Sequence, residues 1–301
     1  MKRPPALKQN DRAVILSPAG RIEAQWVHGA AEVLKRWGLQ PQIAPHALGN
    51  HGRYSGNVEE RLADLQQAMD DPAVRLILCS RGGYGAVHLL PHLDFTRIRL
   101  NPKWVVGYSD ITILHAALQL QGIASLHAPM AKHLAQEGES DRATGYMKDI
   151  LFGKRVSYQI SLTATSTLNR RGMAAGRLFG GNLSVFTSLL GTKFAKIPKG
   201  GILFLEDTGE HPYKVDRMIH QLQLAGLFDR IGGMIVGQFT DYEEDDQMDA
   251  PLLQEIRKVV ERYDFPLCFG FPVGHVKENY PLIAGLRAEL TVAEQSVTFM
   301  Q

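Results

Sequence analysis

The chain has 301 residues, 45% hydrophobic and 21% charged, with a formal net charge of +2. That length exceeds what one hydrophobic core usually serves, so two domains are expected, and the composition excludes a disordered or fibrous chain. The small net charge does not argue for nucleic acid, which usually needs a concentrated basic stripe, and no apolar run reaches the roughly 18 to 20 residues of a membrane span.

The N-terminus, Met1-Lys2-Arg3-Pro4-Pro5, is basic, but no apolar segment follows it, so no secretory signal is expected. Up to about residue 150, short apolar runs alternate with helical patterns. Ala13-Val14-Ile15-Leu16 breaks at Ser17-Pro18-Ala19-Gly20, and a helix-period stretch follows from about Glu23 to Trp37. Arg75 to Cys79 is a second run, ending in Arg81-Gly82-Gly83-Tyr84-Gly85. Trp104-Val105-Val106 is a third, ending in Gly107-Tyr108-Ser109-Asp110 before Ile111, Leu114 and Leu118 at helical spacing. Strand, glycine turn and helix repeated three times predict a doubly wound α/β sheet of parallel strands, with all three turns on its carboxyl rim.

Between about Phe152 and Gly176 the chain is rich in Ser, Thr and basic residues without helical period. This predicts an N-terminal domain over 1–155, a crossover linker over 156–175 and a C-terminal domain over 176–301. The second half holds Gly180-Gly181-Asn182, the apolar strand Ile202 to Leu205 ending at Glu206-Asp207, a helix from about Val215 to Leu224 and a strand around Ile235. The acidic loop Asp241 to Asp249 lacks the glycine and spacing of a calcium loop and suits a solvated loop favouring the next helix's N-terminus. Short strands close the chain around Pro272 to His275 and Ala288 to Phe299. Cys79 and Cys268 sit in apolar runs and read as buried free thiols, and the two do not have metal-ligand spacing.

Three features carry chemistry. Ser109, directly after a strand and before a helix, suits a nucleophile with the Asp110 N–H aimed at an oxyanion, but Ser and Asp are also ordinary helix caps. The RGGYGA turn suits a phosphate cradle, oxyanion N–H donors from Gly82 or Gly83, or a plain βα turn, with Arg81 adding a cation that fits a carboxylate. Glu206 ends a wholly apolar strand, and His275 follows Gly274; His115, His127 and His211 compete with it as the base. A nucleophilic serine needs a base, and the base an orienting acid. Spacing alone does not join these residues.

The ordered motifs SPAG, DDPAVRLILCSRGGYGA, NPKWVVGYSDIT, GGNLSVFTSLLGT, ILFLEDTGEHPYKVDRM and FPVGHVKEN resemble the LD-carboxypeptidase family of murein tetrapeptide carboxypeptidases over about 270 residues. The resemblance implies a Ser-Glu-His triad of Ser109, Glu206 and His275. It also implies a flavodoxin-like domain followed by a smaller β-rich α/β domain, with the site in the cleft between them. The implied activity is release of the terminal D-alanine from murein tetrapeptides during cytoplasmic peptidoglycan recycling. A muropeptide or other peptide is then the partner, with no cofactor, no metal, no nucleic acid and no membrane, in a homodimer. One departure is His127-Ala128-Pro129-Met130 where the family often has His-Gly-Pro. Two alternatives are a microcin self-immunity type of peptidase acting on peptide-nucleotide antibiotics, and a small-molecule or nucleotide-binding module in which Ser109 is only a cap.

Overall fold

Strands β1 (Arg12–Leu16), β2 (Gln40–Ile43), β3 (Val74–Cys79), β4 (Trp104–Gly107) and β5 (Ser125–His127) lie parallel in the order β5-β4-β3-β1-β2. This is the flavodoxin-like strand order, and it is seen in a computed structural model describing all 301 residues. The apolar runs of β1, β3 and β4 are buried on both faces, as a parallel sheet covered by helices requires. β2, Gln-Pro-Gln-Ile, is an edge strand where proline is tolerated. The helices of this unit are α1 (Ala24–Arg36), α2 (Val58–Asp70), α3 (Thr96–Leu100), α4 (Thr112–Leu120), α5 (Ala131–Glu137) and α6 (Arg142–Leu151). α2 starts on a reciprocal cap: Asn57 accepts from the Glu60 N–H while the Glu60 carboxylate accepts from the Asn57 N–H.

The second unit contains β6 (Ser157–Ile160), β7 (Gly172–Asn182), α7 (Leu183–Ser188), β8 (Gly201–Thr208), α8 (Pro212–Leu224), β9 (Ile231–Thr240), α9 (Leu252–Val259) and β10 (Leu267–Phe269). The chain then adds β11 (Leu282–Ala284) antiparallel to β5 in the first unit. It returns to the second for β12 (Arg287–Val292) and β13 (Val297–Met300). The second sheet runs β10-β9-β8-β7-β12-β13-β6, parallel from β10 to β7 and antiparallel beyond.

The units comprise Met1–Arg155 with Lys277–Gly285, and Val156–Val276 with Leu286–Gln301. Residues 156–175, expected as a linker, are structured and belong to the second unit. In β6 Tyr158 and Ile160 point inward while Ser157 and Gln159 face out, a period-2 pattern masked by polar composition. The stretch 176–301 is likewise not one block, because Lys277–Gly285 folds with the first sheet. Each unit has its own core, around Leu16, Ile77 and Leu114 in the first and Phe179, Leu203 and Ile256 in the second. In the acidic loop, Glu244 accepts a hydrogen bond from the Leu252 N–H at 2.9 Å, supporting the start of α9. No helix is long and apolar enough to cross a membrane.

Candidate active site

In the first unit, the loops after β1, β3 and β4 meet on one rim. The Gly20 N–H donates to the Gly82 carbonyl at 2.9 Å, and the buried Ser17 and Ser80 hydroxyls are 2.5 Å apart. Ser109 heads the turn after β4 with φ 64, a left-handed conformation that L-residues rarely adopt and that costs about 1–2 kcal/mol. Neither this 3-10 turn nor α4 receives a side-chain cap, so the capping role open to Ser109 on sequence grounds is not what it does. Gly82 lies directly against it: a Cβ at residue 82 would sit 2.8 Å from Ser109 Cβ and 3.1 Å from its Oγ. Gly83, with φ 99, packs over Gly20.

Asp110, expected to matter through its N–H, also uses its side chain. The buried carboxylate accepts from the Ala86 N–H at 2.8 Å and so ties the RGGYGA loop to the serine turn. Burial pushes its pKa up, against the opposing pull of the Ala86 bond and of the positive Arg61. Arg81 is exposed and donates one N–H to the Arg21 carbonyl at 2.9 Å, within the same rim.

Of the competing histidines, His115 has other employment. His115 is fully buried, and burial lowers its pKa to about 4, so it is neutral. Its Nε2 lies 2.8 Å from the Gly107 carbonyl, which can only accept; Nε2 therefore carries the proton. Nδ1 is then the acceptor for the Ser125 hydroxyl, also at 2.8 Å. His115 thus holds the backbone two residues before Ser109, a role sequence reading missed. Its place on the apolar stripe with Ile111, Leu114 and Leu118 was the available signal. His127 is buried beside the Tyr108 ring, centroids 5.7 Å apart, and His211 stacks on Tyr213 at the start of α8.

The second unit brings Glu206 and His275 together. Glu206 is fully buried in β8 where the pairing with β9 shifts register between Leu205 and Asp207, a bulge of the kind that re-aims a side chain. Its Oε2 is 2.8 Å from His275 Nδ1, while Oε1 is buried without a hydrogen-bond partner. The loop carrying His275 packs over Gly237 of β9 and contains Gly274. A Cβ at Gly237 would meet Val273 at 2.6 Å, and one at Gly274 (φ 126) would lie 2.9 Å from both Glu206 Cβ and Oε2. Burial disfavours the imidazolium, but the hydrogen bond and charge of Glu206, with Asp207 and Asp241 behind it, outweigh this and raise the His275 pKa. In neutral His275, Nδ1–H donates to Glu206 and Nε2 is the basic nitrogen.

Asp207 supports this strand end. Its carboxylate accepts from Asn182 Nδ2, the Ser184 N–H and the Thr208 N–H, each at 2.8 Å. Burial raises its pKa, and the neighbouring Glu206 charge adds to the rise. Asn182, the register partner of Glu206 in β7, also caps α7 through the Val185 N–H. The Gly-Gly-Asn motif is therefore scaffolding for Glu206. Ser109, Asp110, Gly82, Gly83 and Arg81 are carried by the first unit, Glu206 and His275 by the second.

Residues 14–128 match the LD-carboxypeptidase N-terminal domain and residues 175–290 the LD-carboxypeptidase C-terminal domain. The chain is 32% identical over 304 residues to the probable murein peptide carboxypeptidase of Bacillus subtilis (strain 168), covering 98% of this chain and 93% of that one. The crystal structure of muramoyltetrapeptide carboxypeptidase from Oxalobacter formigenes superimposes with a TM-score of 0.87 at 28% identity, covering 96% of this chain and 98% of that one. A structure of the microcin C7 self-immunity protein matches with a TM-score of 0.86 at 22% identity, over 98% of this chain and 97% of that one, a likeness of fold.

Proposed function

The chain belongs to the LD-carboxypeptidase family, and from that premise we propose that it releases the terminal D-alanine of murein tetrapeptides, with Ser109, Glu206 and His275 as a catalytic triad. The observation that carries the triad is the 2.8 Å contact between buried Glu206 and His275 Nδ1, which leaves Nε2 as the base a serine requires.

Ser109 Oγ attacks the carbonyl before the D-residue as Nε2 of His275 takes its proton. Glu206 holds the tautomer and stabilises the imidazolium without itself accepting the proton. The N–H groups of Asp110 and of Gly82 or Gly83 hold the oxyanion, each donor contributing about 3–4 kcal/mol in comparable sites. His275 then protonates the leaving amine, D-alanine departs, and water hydrolyses the ester at Ser109. The Arg81 guanidinium, exposed on the same rim as Ser109, receives the substrate's terminal carboxylate. In this reading the protein acts as a cytoplasmic homodimer on recycled muropeptides. Its chemistry uses side chains and backbone alone.

The test is covalent labelling. A serine-reactive phosphonate is expected to modify Ser109 stoichiometrically in the wild type and at least ~100-fold more slowly in His275→Ala. Equal labelling rates in the two proteins would remove His275 from the role of base.

A further inference from the structure

Arg61 lies in the first turn of α2 and points into the protein rather than toward solvent, with only 2% of its surface exposed. All four hydrogen bonds of its side chain go to backbone carbonyls. Nε donates to Gly56 at 3.0 Å and Asn57 at 3.3 Å, and Nη1 donates to Pro18 at 2.8 Å and Gly85 at 2.9 Å. The Tyr54 ring covers the guanidinium at 4.9 Å. Burying a cation on neutral acceptors is costly, and a fork reaching three separate loops is something lysine's single ammonium cannot reproduce.

The Gly85 carbonyl and the Ala86 N–H belong to one peptide unit. Arg61 holds its oxygen, and Asp110, the residue after Ser109, holds its nitrogen. At the loop's other end, Gly82 is pressed against Ser109. Residue 85 has no room for a side chain, since a Cβ there would come within 2.9 Å of both Arg61 Nη1 and the Tyr54 ring. The loop 82–86 is therefore wedged between the serine and the arginine.

We propose that Arg61 is a positioning residue for the carboxypeptidase reaction: by clamping the Gly85–Ala86 peptide against Asp110, it sets the backbone that flanks Ser109. This rests on Ser109 being the nucleophile. Arg61 touches no substrate; it acts through the peptide and Asp110 on the geometry in which the oxyanion is held. Misplacement of that backbone by a fraction of an ångström weakens transition-state binding while leaving ground-state binding nearly intact.

The experiment measures D-alanine release from a murein tetrapeptide by the full chain. Arg61→Lys is expected to lower kcat about 10- to 100-fold with KM within about twofold. Combined with Asp110→Asn, the loss should stay close to the larger single loss, because both act on one peptide; independent structural damage would multiply. Should Arg61→Lys fail to fold, Gly85→Ala disturbs the same peptide with Arg61 retained and should show the same kcat loss. A folded Arg61→Lys or Gly85→Ala protein with wild-type kcat, or multiplicative losses in the double variant, would overturn the assignment. A wild type that releases no D-alanine would instead overturn the reading of the site itself.

Discussion

Glu206 Oε2 and His275 Nδ1 are 2.8 Å apart, and the backbone just before the histidine is shaped around that carboxylate. Gly274 takes φ 126, and a Cβ at that position would lie 2.9 Å from Glu206 Oε2. The glycine therefore lets the imidazole approach a carboxylate embedded in the sheet, and a side chain there would compete for the space of the acid.

Gly274→Ala should accordingly damage the site and the fold together. The added methyl meets Glu206 in a backbone conformation disfavoured for alanine, costing about 1–3 kcal/mol of stability. Displacing the carboxylate should lower kcat/KM about 100-fold. Chemical denaturation and D-alanine release measure the two effects; an alanine variant with wild-type values for both would show that the close approach is dispensable.

The Glu206–His275 pair also fixes a pH dependence. A base must be neutral, so activity should fall as pH drops through the His275 pKa, which is raised above the ordinary value of about 6.5. Stability has the opposite sign: the ion pair's contribution is fully present below the unfolded pKa and is lost as pH rises through the folded one. Glu206→Gln keeps an acceptor for Nδ1–H but removes the charge, and the acid limb of kcat/KM should move to lower pH. A limb that stays in place would mean that Glu206 does not set the protonation of the base.

His115 predicts a different window. Its folded pKa of about 4 lies below the unfolded value, so the stability it contributes is present above about pH 6.5 and is lost as pH falls. The loss should reach about 2–3 kcal/mol between pH 8 and 4.5. His115→Gln, which does not titrate, should be less stable at pH 8 but flatter across this range in urea unfolding. Identical slopes for the two proteins would contradict the buried neutral imidazole.

Much of the first sheet was legible because β1, β3 and β4 are unbroken apolar runs closed by glycine turns. β2 was not, since Gln-Pro-Gln-Ile at an edge has no apolar signature, and neither was β11, whose place beside β5 depends on a pairing across more than 150 residues. Within the site, Glu206 and His275 stood out through their motifs. Arg61 did not, because it sits in the charged stretch Val-Glu-Glu-Arg-Leu of an ordinary amphipathic helix. Its clue was spacing: Arg61 and Asp64 occupy the same buried stripe as Leu65 and Ala68, where charge is not expected without a partner. The side-chain role of Asp110 had no such clue, since a carboxylate after the serine reads as a helix cap.

Whether Ser109 performs carboxypeptidase chemistry is decided by mass spectrometry of the products formed from a defined murein tetrapeptide by wild-type protein and by Ser109→Ala. The wild type should remove one D-alanine and nothing else. A folded Ser109→Ala protein should release it at least about 10⁴-fold more slowly. Release at the wild-type rate by a folded Ser109→Ala protein would remove Ser109 from the role of nucleophile.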